Sequence, residues 1–213
     1  RDSIRTGRSA GLEVAAIVTD MNQPLGRAIG NAVEVSEALE CACGGGPEDL
    51  RELCIELVAE MGRLAGVASG DEMRTRCVEA LANGSVEQRL RRMVVAQGGA
   101  EDFENALPQA PEQAPATASR PGYVTRIQTD EIGRALIDLG GGRLEHTDSI
   151  DPAAGLHALV RLGAPVEEGQ PLFRIEVGDA DRASRARQRI ERAVEIGEEA
   201  PDTGPVILER LDS

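Results

Sequence analysis

Lysine is missing from this 213-residue chain: all 23 of its basic residues are arginine. That absence excludes chemistries that need a lysine amine, among them Schiff-base catalysis, the P-loop grip on phosphate, and biotinyl or lipoyl attachment. Aromatic side chains are nearly missing too, with Phe103, Tyr123, Phe173 and no tryptophan, so stacking platforms for bases or sugars are not expected. No apolar run approaches the ~18 residues of a membrane-spanning helix. Basic residues are outnumbered by 37 acidic ones, and the resulting net charge of −14 opposes attraction to nucleic acid and anionic lipid. At 41% hydrophobic, the chain still carries an aliphatic core of Ala, Val, Leu and Ile. We expect a soluble, acidic, cytoplasmic protein.

The chain opens on Arg1, and no basic segment followed by an apolar stretch suggests a secretory signal. Leu12-Glu13-Val14-Ala15-Ala16-Ile17-Val18 is a nearly continuous apolar run closed by Thr19-Asp20. Such a run predicts a parallel strand buried on both faces, which needs neighbouring strands and covering helices. Positions 30–97 show helical periodicity instead, so we expect the rest of the sheet upstream of Arg1, and the chain to be a C-terminal piece. Alone, residues 1–97 should then be poorly stable.

A helix is predicted from Pro47 to Leu64, with Glu48 and Asp49 complementing the dipole and a buried stripe of Leu50, Leu53, Cys54, Leu57, Val58, Met61 and Leu64. Helices near 71–82 and 85–96 follow, divided by Asn83-Gly84. Residues 98–120, with Pro108, Pro111 and Pro115, read as a Pro/Ala-rich linker. After Pro121-Gly122, strands are expected at Tyr123–Ile127, Ala135–Leu139, Leu172–Val177 and Val206–Leu208, with an arginine-rich helix over 179–197. The expected organisation is α/β plus α+β: residues 1–97 as the C-terminal part of a parallel-sheet α/β domain, then the 98–120 linker, then a small α+β domain over 121–213.

Most candidate site residues have an ordinary reading. Cys41, Cys43, Cys54 and Cys77 lack paired zinc-ligand spacing and lie far from His146 and His157, so free thiols are expected. Neither histidine is tied to a nucleophile by a local motif, which leaves a general-base role open beside polar or packing roles. Arginines 182, 185, 187, 189 and 192 could bind an anion, but flanking Asp179, Asp181, Glu191 and Glu195 favour a salt-bridged face. Gly140-Gly141-Gly142-Arg143 reads as a turn, with a backbone phosphate cradle as the alternative. Residues 163–177 look like half of a biotinyl-type barrel, yet carrier function fails without lysine.

The most specific segment runs from Asp20 through Met21-Asn22-Gln23-Pro24-Leu25-Gly26-Arg27-Ala28-Ile29-Gly30-Asn31 to Val35. It reads as a strand-to-helix loop with a helix starting near Gly30 or Asn31, the position where α/β proteins build sites. Loop carbonyls and a helix carboxylate there could hold a hard monovalent cation. The segment closely resembles the thymidine and pyrimidine-nucleoside phosphorylases. The resemblance continues in Gly46-Pro47-Glu48-Asp49-Leu50, Met93–Gly99, Gly122-Tyr123-Val124, Gly140–Arg143, Asp148–Asp151 and Gly169–Leu172, in the expected order.

That resemblance implies a homodimeric enzyme that splits a pyrimidine nucleoside with phosphate into free base and a (deoxy)ribose 1-phosphate, without an organic cofactor. The family's Lys-His-Ser-Thr-Gly-Gly-type phosphate loop and its base-holding arginine, serine and lysine have no counterpart here. No catalytic residue is therefore expected in this chain; those groups are expected upstream of Arg1. The resemblance does carry over part of a potassium site, matching Leu25, Ala28 and Glu37, beside the plainer reading of Glu37 as a solvated carboxylate. A non-catalytic remnant or interaction module built on the same C-terminal fold is the alternative.

Overall fold

The computed structural model describes residues 1–211. Its helices are α1 (Asp2–Ser9), α2 (Ala32–Ala42), α3 (Glu48–Leu64), α4 (Gly70–Ala82), α5 (Ser85–Ala96), α6 (Thr129–Leu139) and α7 (Ala180–Ala193). The strands are β1 (Ala16–Thr19), β2 (Ala28–Gly30), β3 (Glu112–Thr117), β4 (Gly122–Ile127), β5 (Gly155–Ala158), β6 (Pro165–Val166), β7 (Pro171–Glu176), β8 (Val194–Gly197) and β9 (Ile207–Leu211). The chain forms two compact units. One comprises Arg1–Asp20, Leu39–Glu101 and the chain from Gly204 onward; the other comprises Met21–Ala38 and Asp102–Thr203. The division falls within α2.

In the first unit β1 pairs antiparallel with β9, from Ala16 opposite Leu211 to Thr19 opposite Ile207. This corrects the expectation of a parallel strand buried on both faces: every strand pair among the described residues is antiparallel. Val18 is 38% exposed, in keeping with its place in a two-stranded ribbon. The local hydrophobic pattern specified a strand but could not specify its partner, which arrives about 190 residues later in sequence.

Helix α3 begins one residue after Pro47, whose ψ of 136° is still extended. Its buried face also differs from the expected stripe. Leu53, Glu56, Ala59 and Gly62 point inward, while Cys54, Leu57, Val58 and Met61 are exposed. Close approach explains the choice. A Cβ at Gly62 would lie 2.5 Å from the Met73 methyl, so the glycine is what lets α4 sit against α3. The Glu56 carboxylate, 2% exposed as a residue, receives the guanidinium groups of Arg74 from α4 and Arg210 from β9. Helices α4 and α5 lie where expected but contribute no fully buried residue.

The second unit holds the main core. A four-stranded sheet in the order β2-β5-β7-β3 and a three-stranded sheet in the order β6-β4-β8 enclose Val124, Ile127, Leu156, Leu172, Phe173, Ile175 and Val177. Helices α6 and α7 pair with one another and add Ile132, Ala135, Leu139, Ala186 and Ile190. One expected strand is a helix: Ala135–Leu139 forms the last turns of α6. Its apolar residues Ile132, Ala135 and Leu139 follow helical spacing, Asp130 and Glu131 lie in its first turn, and Gly140 closes it at φ +92°. The stretch read as a linker contributes a strand, because β3 forms the sheet edge beside β7. Pro115 falls where the β3–β7 register slips, which is where an edge strand tolerates a missing N–H.

Candidate functional site

The motif loop is tied to the second unit by several side-chain hydrogen bonds. Pro24 and Gly26 turn the chain, with Gly26 in the left-handed region at φ +68°. Both carbonyls are held by one side chain: Arg161 Nη1 donates to Pro24 O at 2.8 Å and to Gly26 O at 2.6 Å. Gln23 Oε1 accepts the Leu162 N–H at 3.0 Å, and Met21 O accepts the Thr129 hydroxyl at 3.0 Å. The loop then enters β2, whose Ala28 lies opposite His157 of β5. At the start of α2, Glu34 Oε1 accepts the Gly30 N–H at 2.8 Å, and Asn31 Nδ2 donates to Gly141 O at 2.8 Å.

Glu37 closes this frame from one turn further along α2. Its Oε1 accepts the N–H groups of Arg27 and Ala28, each at 3.0 Å, and its Oε2 accepts Arg27 at 3.2 Å. Of the three residues singled out for a cation, Glu37 meets Ala28 through the Ala28 N–H and not its carbonyl, and Glu37 is half-buried, not a freely solvated carboxylate. Leu25 belongs to the same loop and is 40% exposed. The donor set would be one carboxylate and two main-chain carbonyls, all hard oxygens suited to potassium. The two backbone N–H groups fill part of the acceptor capacity of the Glu37 carboxylate, which thereby ties the loop to α2.

Next to this frame lies a polar cluster that sequence reasoning did not assemble. His157 Nε2 stands 3.2 Å from Glu176 Oε1, and Arg174 Nε stands 3.1 Å from the same oxygen, though neither nitrogen is aligned for a hydrogen bond. Burial, and then the charge of Arg174, hold the His157 imidazole below its ordinary pKa, against the opposing pull of Glu176 and Glu37. A neutral imidazole beside a carboxylate can in principle relay a proton. Here it packs as a polar bridge between β5 and β7. The period-2 alternation of β7 places Arg174 and Glu176 on one face, and only the β5–β7 register puts His157 opposite Arg174.

The other sequence candidates do not converge. His146 is exposed in the loop after Gly142, where Asp148 Oδ2 accepts the Leu144 and Glu145 N–H groups. Cys43 and Cys54 are exposed, and no group of three metal-ligating His, Cys, Asp or Glu residues occurs among the described residues. Gly140–Gly142 closes α6, as the turn reading expects. No helix among the described residues is long and apolar enough to cross a membrane.

Comparison with known proteins relates the chain to one family. Residues 123–197 match the family model of the pyrimidine nucleoside phosphorylase C-terminal domain. The chain carries a C-terminal portion of this family. The ends of the match coincide with a pair in the fold, since Tyr123 of β4 lies opposite Gly197 of β8. The pyrimidine-nucleoside phosphorylases of Staphylococcus aureus strains USA300, NCTC 8325 / PS 47 and COL are each 41% identical to the chain over 182 residues. Those 182 residues are 84% of this chain but 42% of each relative, so the chain spans less than half the length of these curated relatives.

Proposed function

We propose that the chain serves a pyrimidine-nucleoside phosphorylase, a cytoplasmic homodimeric pentosyltransferase that splits a pyrimidine nucleoside with phosphate into free base and (deoxy)ribose 1-phosphate. The observation that carries this reading is 41% identity sustained over 182 residues. The chain's own role is architectural. Loop 21–31 is held rigid by Arg161, Gln23 and Glu37, and a loop held this way can orient neighbouring groups without further entropy loss. With no lysine anywhere in the sequence, turnover depends on phosphorylase residues beyond those present here.

Potassium, if bound, would sit against the Leu25 and Ala28 carbonyls and the Glu37 carboxylate, and would supply charge that fixes the loop, not a reacting group. Replacing sodium by potassium should then raise the melting temperature of the chain, and Glu37→Gln should abolish the difference.

The activity test is phosphate-dependent release of thymine from thymidine and of uracil from uridine. The purified chain should release neither. Fused to the remaining portion of a Staphylococcus aureus pyrimidine-nucleoside phosphorylase, it should release at least one. Turnover by the chain alone would overturn the architectural assignment. A folded but inert fusion would favour a non-catalytic module on the same fold.

A further inference from the structure

We propose that the groove between α6 and α7 is a binding site for a small phosphate-bearing anion. The chain carries a net charge of −14, yet α7 alone bears Arg182, Arg185, Arg187, Arg189 and Arg192 against Asp181 and Glu191. The flanking acids suggest a face of internal ion pairs, and the structure shows where that pairing stops. Arg189 Nη1 donates to Glu131 Oε2 at 2.6 Å and its Nε to Asp138 Oδ2 at 2.7 Å, so one guanidinium occupies both acids that α6 offers to the groove. Glu131 also faces Arg134 at 3.4 Å. Arg185 and Arg192 lie four residues before and three residues after Arg189, both exposed, and neither makes an ion pair among the described residues.

These residues line one cavity of about 410 Å³ together with the amides of Gln128 and Gln188. Arg189, held in place by two carboxylates, forms a fixed floor, and the exposed guanidinium groups of Arg185 and Arg192 flank it one helical turn away on each side. Their Cα atoms are separated by about 10 Å along the axis, and arginine side chains long enough to converge can close that gap on one ligand. Guanidinium groups present paired N–H donors that match the oxygens of a phosphate, and the Gln188 amide adds a neutral donor, while the Gln128 amide donates to Glu195 at 3.5 Å. The lining holds three arginines and two acids. With both acids held by Arg189, the lining keeps a net charge of +1, which Arg185 and Arg192 present to an incoming anion.

Inorganic pyrophosphate is the probe, titrated into the full chain at low ionic strength by calorimetry, with citrate as a non-phosphate anion of comparable charge. Pyrophosphate should bind, and the double variant Arg185→Gln/Arg192→Gln should weaken it by about tenfold or more. Arg143→Gln, on an exposed loop outside the groove, should leave it within about twofold. Unchanged thermal melting of the double variant, whose two side chains are exposed, guards against a folding defect. Absence of pyrophosphate binding would overturn the proposal. So would equal weakening by Arg143→Gln, or citrate binding as tight as pyrophosphate.

Discussion

The Glu37 carboxylate accepts the Ala28 N–H at 3.0 Å, reaching back nine residues from α2 to the point where the motif loop becomes β2. The same oxygen accepts Arg27, so one side chain satisfies two adjacent backbone donors that the loop could not pair by itself. The distinctive sequence of the loop and the rigidity of its anchor are therefore linked through a single acid.

Glu37→Ala should leave both N–H groups without their acceptor, at a cost of about 1–3 kcal/mol. Hydrogen exchange at Arg27 and Ala28 should accelerate well before exchange in β7 does. Glu37→Gln, which keeps one acceptor oxygen, should lose less. Unaltered exchange at both amides in the alanine variant would show that the loop is held by Arg161 and Gln23 alone.

Gly155 and Val33 define a close contact between β5 and α2. A Cβ at Gly155 would lie 2.8 Å from Val33 Cγ2 and 2.9 Å from Cγ1. Gly155→Ala should destabilise by about 1–3 kcal/mol through overpacking. Val33→Ala in the same chain should recover part of that loss, a non-additive result that denaturant unfolding of the single and double variants can measure.

In the first unit, Glu56 gathers Arg74 and Arg210, and so ties α3 to both α4 and β9. Both arginines are about half exposed, so water screens part of each interaction. Arg210→Ala should still weaken β9, with faster hydrogen exchange at the Asp20 amide, which donates to Val206 O at 2.8 Å, as the readout. Replacing the whole triad with apolar residues should be better tolerated than removing both arginines, since the latter strands a buried carboxylate.

Asp179 caps α7: its Oδ1 accepts the N–H groups of Asp181 at 2.9 Å and Arg182 at 3.0 Å. The Arg182 N–H bond above all holds its carboxyl below the ordinary aspartate value, helped by Asp181 and by the charges of Arg182 and Arg185. A depressed folded-state pKa means that the unfolded chain takes up the proton first. The cap's contribution is thus complete above the unfolded pKa of about 3.9 and is lost as pH falls through the lower folded value. Asp179→Asn, which can cap without titrating, should flatten this acid-side slope in melting temperature. A slope identical to that of the parent would rule the carboxyl out as its source.

Several features needed no tertiary structure to be read. Glycine, proline and acidic residues marked the limits of α3, α4 and α5, because capping and turn chemistry act over a few residues. The alternation in 123–127 and 172–177 gave β4 and β7, and the motif from Asp20 to Val35 carried the family resemblance before any fold was known. The missing lysines likewise bounded the chemistry by composition alone. What only the fold decided were the relations between distant residues. The apolar run at 12–18 fixed a strand, but its antiparallel partner lies at the other end of the chain. Helix α3 buries Ala59 and Gly62 in place of Met61, because close helix approach and the charge of Glu56 outweighed its wider apolar stripe. His157 meets Glu176, and Arg189 takes both Glu131 and Asp138, through register and helix pairing that no local pattern encodes. Short-range preferences are written in neighbouring residues, whereas pairing, burial and charge compensation depend on which surfaces the whole chain brings together.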